Sequence, residues 1–409
     1  MRILIGAALA IAIPSALHAE SLTFSGAIQR AVREAPSLQA TESGITASRA
    51  AAIAADRLPD PTLELGIRDF PVTGPDAGSL HRDNFTMTTV GVSQQFINPA
   101  KRRARAERAQ ANVGIAEAGY AQEIQTVRLE TALAWVDLYY AEKRLAQLQH
   151  LDTSLGDLQA TVAARLVSGS ARPSQALEPD QLRAAVADRR SELAADVAKA
   201  RARLVRYTGD PLVEVAGAPP SPGVDAAQLN AGIGALPRLR ALSARTAAAD
   251  AETDLARADK RPDWTVNASY GRREPAFGDL VSVGLSIDLP FFTRRRQEPK
   301  IAARASEAEQ VRLERLAGER EAVAALSADL ADHAMHHQRL ENARTILVPL
   351  AKRRAQLDQA SYAAAKLDLG SALLTSLALA EAEVDALARE AEVARDAVRI
   401  NYTYGEGRP

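Results

Sequence analysis

Along four short stretches of the chain, apolar residues take every second position. Val281, Val283, Leu285, Ile287 and Leu289 alternate with small or polar residues. Trp264, Val266, Ala268 and Tyr270 do the same, as do Leu63, Leu65 and Ile67. The segment Phe85 to Phe96 alternates less cleanly, with threonines and glutamines opposite its apolar positions. A period of two marks strands with one apolar face. It predicts strands at about 61–69, 84–96, 263–271 and 280–290, joined pairwise by loops rich in Gly, Pro, Asp and Arg at 69–83 and 271–279.

Nearly everything else has the alanine-rich texture of helix. Helices are predicted at about 36–57, 100–167 and 178–207, and again at 236–260, 300–362 and 367–401. The stretch from Ala100 to Val167 holds no proline and would run on the order of 100 Å as one helix. The stretch from Lys300 to Tyr362 is interrupted by Pro349 alone. Within it Leu316, Val323 and Leu330 recur at heptad spacing, with Leu326, Leu340 and Leu347 on companion positions of the same seam.

These elements form one plan written twice. Pro36 matches Pro237, and Pro59-Asp60 matches Pro262-Asp263. A gap-free block then aligns Val90-Gly91-Val92-Ser93 with Val283-Gly284-Leu285-Ser286 and Lys101-Arg102-Arg103 with Arg294-Arg295-Arg296. RLVRYTGDP from Arg203 resembles RINYTYGEG from Arg399 and closes each half. The first repeat is therefore placed at 20–212, a linker at 213–235 and the second repeat at 236–409.

Composition narrows the class. Aromatics are 4% of the chain and alanine runs recur, so there is little bulk for a thick core. Small residues suit helices whose backbones approach closely, or thin walls around a solvent space. A formal net charge of −1 gives no reason to expect a nucleic-acid partner. Met1-Arg2, the apolar run Ile3–Ile13, Pro14 and Leu17-His18-Ala19 together read as a cleavable signal peptide over 1–19. No later run reaches the roughly 18 apolar residues of a membrane helix. The absence of cysteine leaves no disulfide and no residue for an N-terminal lipid anchor.

Four strands of about ten residues are long enough to cross an outer membrane with tilt. They are too few to close a barrel, and an open edge in lipid leaves main-chain groups unsatisfied. Several copies must therefore pool strands. Two would give eight, filled by side chains, whereas three would give twelve and room for a channel. Helices bracket each strand pair, so both helical ends face one compartment, and a hollow helical cylinder in the periplasm is expected.

On these tandem halves, strand pairs and long–short helix pairs, essentially the whole mature sequence resembles the TolC-type outer-membrane efflux proteins. RLPDPTLELGI from Arg57 and VGVSQQFINPAKRRARAE from Val90 resemble the branch serving cobalt, zinc, cadmium or copper exporters. That branch usually has a glycine where Ala100 stands before the basic triplet. The resemblance implies a mainly α chain with a membrane β-barrel: a homotrimer with a 12-stranded barrel continued by a periplasmic α-helical barrel. It also implies a periplasmic membrane-fusion adaptor and an inner-membrane proton-driven pump of the resistance-nodulation-division type as partners. The duct would sit in outer-membrane lipid, need no cofactor and conduct passively.

Candidate sites follow from this picture. Helical tips are expected near Gly169-Ser170 and from Lys366 to Ser371, including Asp368 and Gly370; the family resemblance makes them adaptor contacts, and turn geometry alone explains them equally. Family members often carry acidic rings just past the tip. Here Ser371 and Leu374 stand at those places in the second half, leaving Glu178, Asp180 and Asp368 as gate or selectivity charges, or as plain capping and solvated acids. His333 and His337 have the i, i+4 spacing of a metal pair but share a stripe with Leu330 and Leu340, which makes helix contact the simpler role. The triplets 101–103 and 294–296 would anchor at the membrane rim or hydrogen-bond around it. Trp135, Tyr139 and Tyr140 read as packing residues. No catalytic triad, phosphate loop or carboxylate pair is recognisable. A duct for drugs or secreted polypeptide, and a periplasmic coiled-coil adaptor, are the alternative readings.

Overall fold

The computed structural model describes residues 21–167, 177–364 and 366–405. In chain order these form β1 (Ser21–Leu22), α1 (Phe24–Glu34), α2 (Pro36–Ala55), β2 (Thr62–Arg68), β3 (Met87–Phe96) and α3 (Pro99–Val167). Then come α4 (Glu178–Thr208), β4 (Glu214–Val215), α5 (Ala226–Gly232), a 3₁₀ turn at Ile233–Ala235, and α6 (Pro237–Ala258). The remainder is β5 (Trp264–Arg272), β6 (Leu280–Ile287), α7 (Thr293–Asn342), a π-turn at Ala343–Leu347, α8 (Val348–Ala363) and α9 (Leu369–Tyr404). The signal peptide expected at 1–19 lies outside the described residues. Among the described residues no helix is long and apolar enough to cross a membrane.

The chain divides into two compact units. One gathers the segments to Ala35, Thr126–Ala226 and Ser327 onward; the other gathers Pro36–Gln125 and Ala227–Leu326. The first has a core of large side chains. Trp135 is fully buried, packs edge-on against Phe24 at 5.5 Å, and donates its indole N–H to the Leu22 carbonyl at 2.9 Å. Leu138, Leu204, Val213, Val398 and Tyr402 close around it, and a second cluster joins Leu148, Leu182, Leu193, Leu369 and Leu373. β1 pairs in parallel with β4 beside this core. The segment expected to be a plain linker, 213–235, therefore carries a strand and a helix.

In the second unit alanines share the buried positions with larger residues: Ala104, Ala248, Ala256, Ala308 and Ala322 beside Leu38, Ile45, Val113, Leu239 and Leu326. Gly318 lies in α7 where a Cβ would come within 2.9 Å of the Leu242 side-chain tip, so α6 and α7 approach closely at this point. This unit holds a four-stranded antiparallel sheet in the order β2-β3-β5-β6.

Two local features differ from the sequence reading. α7 begins at Thr293, before the expected residue 300, and runs through Pro299, which removes one main-chain bond on an exposed turn. Pro349 does not end the helix. The preceding π-turn, with the Val348 N–H donating to the Ala343 carbonyl, widens the backbone just ahead of the ring. The heptad stripe also divides: Leu326 and Leu340 are buried, whereas Leu316, Val323 and Leu347 are exposed in the single chain.

Candidate functional site

The sheet separates its residues by face. Directly paired residues of antiparallel neighbours point the same way. Leu65 pairs with Val90, Val90 with Tyr270, and Tyr270 with Val281. Leu63, Val92, Ala268 and Val283 form a parallel row, and Val266 and Leu285 continue the same face. The opposite face carries Thr62, Glu64, Arg68, Thr89, Ser93, Gln95, Thr265, Asn267, Ser269, Ser282 and Ser286. The apolar face is bare: Leu65 is 71% exposed and Val283 75%. Such inversion suits a surface whose solvent is hydrocarbon. At one end of this face Phe96 and Trp264 stack at 4.7 Å, the kind of aromatic pair that sits at a membrane–water boundary.

Each end of the sheet is fastened. At the loop end, Arg273 donates to the carbonyls of Asn84, Phe277 and Gly278 and so ties the two loops together. Asp69 takes a left-handed φ of 56° and its carbonyl accepts from Thr86. At the helix end, Lys101 and Asp263 form a buried pair at 2.8 Å, each side chain 11% exposed. Asp263 also accepts from the Asn98 N–H at 2.8 Å. The first member of the 101–103 triplet is thus bound within the protein, Arg102 lies 3.7 Å from Asp56, and Arg103 is exposed. Arg294, Arg295 and Arg296 are exposed, and no ion pair of theirs occurs among the described residues. Asp263 was not among the sequence candidates, although its match to Asp60 in the repeated Pro-Asp step was visible in the repeat.

At the tips, Gly169 and Ser170 lie outside the described residues. The other candidates converge. Glu178, first residue of α4, sets its carboxylate against Gly370 and lies beside Asp368. Burial and the Asp368 charge push its carboxyl above the usual glutamate value. Asp368 caps α9: its two oxygens accept from the Ser371 N–H at 2.9 Å and the Ser371 hydroxyl at 2.8 Å. These bonds hold its carboxyl below the ordinary range. Asp180 is exposed with Arg183 at 3.8 Å, and the Lys366 N–H closes the end of α8 on the Ser361 carbonyl.

His333 and His337 meet edge-on with ring centroids 5.9 Å apart. His333 is half-buried and is pushed toward the neutral form mainly by burial. His337 is exposed. The neighbouring His336, not singled out in sequence, makes the strong contact, Nδ1 to Asp396 Oδ2 at 2.6 Å. Asp396 is buried and also accepts from Arg399. Among the described residues no set of three or more His, Cys, Asp or Glu is placed to hold a metal ion.

Solved structures share this architecture. CusC, described in terms of folding and transmembrane channel formation, superposes with a TM-score of 0.76 at 14% identity over 93% of this chain and 92% of its own. A membrane protein from Pseudomonas aeruginosa gives 0.80 at 15% identity, covering 93% and 92%. The Campylobacter jejuni CmeC outer membrane channel gives 0.77 at 12% identity, covering 94% and 86%. The fold of this chain is that of the TolC-type outer-membrane channels. No protein-family model and no curated protein matches the chain.

Proposed function

We propose that three copies of this chain form an outer-membrane exit duct, with the helices in the periplasm, docked to an adaptor and an inner-membrane proton-driven pump. The observation that carries this is the four-stranded sheet, with a bare apolar face, a polar face and two unpaired edges. Lipid accepts the apolar face but not the edges, so the sheet is incomplete until other copies supply strands. Twelve strands leave a lumen lined by the serines, threonines, Glu64, Gln95 and Asn267 of the polar face. The TolC-type fold at full length supports the reading. Such a duct conducts and catalyses nothing.

The cargo proposed is heavy-metal cations, supported by the resemblance of the Arg57 and Val90 segments to the metal-efflux branch. The tips around Glu178, Asp368 and Gly370, with Gly169, Ser170, Lys366 and Ser371, are the proposed adaptor contacts. Glu178, Asp180 and Asp368 are the proposed entrance charges, repeated around the axis. The test is to fractionate cells expressing the chain, then challenge a deletion strain. A heat-dissociable trimer in the outer membrane and sensitivity to zinc, cadmium, cobalt or copper are expected. A monomer in the soluble periplasm would overturn the duct, and sensitivity to dyes without metal sensitivity would overturn the cargo.

A further inference from the structure

The internal repeat predicts more than a resemblance between halves. The match of Asp60 to Asp263 sets Leu65 against Ala268, and the gap-free block sets Val90 against Val283. Carried along these matches, the observed pair Leu65↔Val90 becomes Ala268↔Val283, which is the pair found in the second hairpin. Thr62↔Ser93 likewise becomes Thr265↔Ser286, also found. The two hairpins therefore share one register, and the matches hold in three dimensions.

The seam between the hairpins, β3 with β5, joins the second strand of one repeat to the first strand of the other. It is locked by Val92↔Ala268 and Val90↔Tyr270, and at its end by the buried Lys101–Asp263 pair. By the same matches, the equivalent seam joins β6 to β2, the two strands that have a free edge among the described residues. Within one chain these are the outer strands of the sheet, so their partner is another copy. Lys101 matches Arg294, in the first turn of α7, and Asp263 matches Asp60, just before β2. Both are exposed, and neither has a side-chain partner among the described residues. Each chain thus carries one completed seam and two complementary halves of a second.

We propose that β6 of one copy pairs with β2 of the next in the register Leu285↔Leu65 and Val283↔Ile67, closed by an ion pair between Arg294 and Asp60 of the next copy. This rests on the three-copy duct proposed above and specifies the contact by which it closes. The register keeps Val283, Leu285 and Ile287 on the same face as Ile67, Leu65 and Leu63, so the apolar band continues unbroken across each junction. A slip by one residue would turn one side of that band into the lumen. Two guanidinium-to-carboxylate contacts per chain, one given and one received, give the junction a direction: head-to-tail copies close a ring rather than forming a symmetric dimer.

The chain has no cysteine, so introduced thiols are the only ones present. Leu285→Cys is combined in turn with Leu63→Cys, Leu65→Cys and Ile67→Cys, and membranes are oxidised and run without reductant. The strongest covalent dimer and trimer ladder is expected for L65C/L285C, because directly opposed residues lie closer than diagonal ones. In parallel, Asp60→Arg should reduce the trimer seen on unboiled gels about tenfold by setting like charges together, and adding Arg294→Asp should restore it. A ladder strongest in either other pairing, no ladder in a protein that is still trimeric, or an unaffected trimer in D60R would overturn the register or the ion pair and leave the duct standing. A wild-type protein that is monomeric in the outer membrane would remove the duct itself.

Discussion

The unit built around Trp135 and the sheet of the other unit solve opposite problems with the same residue types. Around Trp135, aromatic and aliphatic groups turn inward, and Phe24, Leu138 and Tyr402 are withdrawn from solvent. In the sheet, Leu63, Leu65, Val281, Val283 and Leu285 turn outward, and serines, threonines and glycines take the other face. The difference teaches that burial within a single chain is no measure of where its apolar side chains end up. One region is finished by its own chain. The other, in the proposed duct, is finished by lipid and by further copies.

The largest effect should come from charging the outward face. Val283→Arg with Leu285→Arg places two guanidinium groups near mid-membrane, each costing roughly 2–4 kcal/mol and repeated in every copy. Trimers in the outer membrane should be lost while the helical content persists. Normal assembly of the double variant would mean that this face is not the one in lipid, and the contrast with the Trp135 core would collapse.

Next comes the core itself. Trp135→Ala removes a fully buried indole, its contact with Phe24 and its hydrogen bond to the Leu22 carbonyl. A loss of roughly 3–5 kcal/mol is expected, read as a lowered denaturation midpoint of the helical signal. An equal loss from Trp264→Ala, whose ring stacks on Phe96 at an exposed site, would show that the two regions obey the same rule after all.

Much of this contrast was legible in the sequence. The four alternating segments gave the strands, since a period of two is independent of which solvent lies outside. The matched Pro-Asp steps gave the repeat. Trp135 was legible as a packing residue, but β1 and α1, which pack against it, were missed. Their signal, Phe24, Ala27, Ile28 and Ala31 at helical spacing behind the Thr23 cap, spans a single short helix, and its partners come from α3, β4 and α9. The heptad reading of α7 held for Leu326 and Leu340, which are buried, and passed over Ala308 and Ala322, which are buried too, while Leu316 and Val323 stay exposed. Buried alanines share the helix contacts with the buried leucines, and they carry little weight in a hydrophobic pattern. Lys101–Asp263 and His336–Asp396 join residues remote in sequence, so only the fold reveals them.

A smaller effect is expected at the tip, where charge rather than burial dominates. Asp368→Ala removes the cap of α9 and should cost about 1 kcal/mol, and Asp368→Asn much less. The pH signs of the two neighbouring acids oppose each other. Asp368, depressed by the Ser371 bonds, contributes stability above the ordinary aspartate pKa that is lost as pH falls through its lowered value. Glu178, raised by burial and by Asp368, favours the folded tip when protonated, and that contribution is lost as pH rises through its raised value. Carboxyl titration followed by NMR should show Glu178 moving back toward its ordinary value in D368A. A Glu178 titration unchanged by that substitution would mean the two acids are not neighbours in the assembled tip.

The smallest effect expected concerns the histidines of α7. His333 and His337 together to Gln should leave metal resistance within about threefold of wild type, because a conduit needs weak contacts with its cargo and gains nothing from a tight site. The structure supplies further reasons. His333 is pushed toward the neutral form by burial, His337 is exposed, and among the described residues no third ligand joins them. Glutamine keeps polarity and approximate size, so trimer abundance on unboiled gels should be unchanged. His336→Leu is the contrasting variant: it strips Nδ1 from the buried Asp396 carboxylate and should cost roughly 1–3 kcal/mol of stability. Growth is compared at graded zinc and cadmium. Lost resistance in H333Q/H337Q with normal trimer levels would convert the pair from a packing contact into a metal relay, and this stretch of helix would then belong with the sheet as a surface completed by something outside the chain.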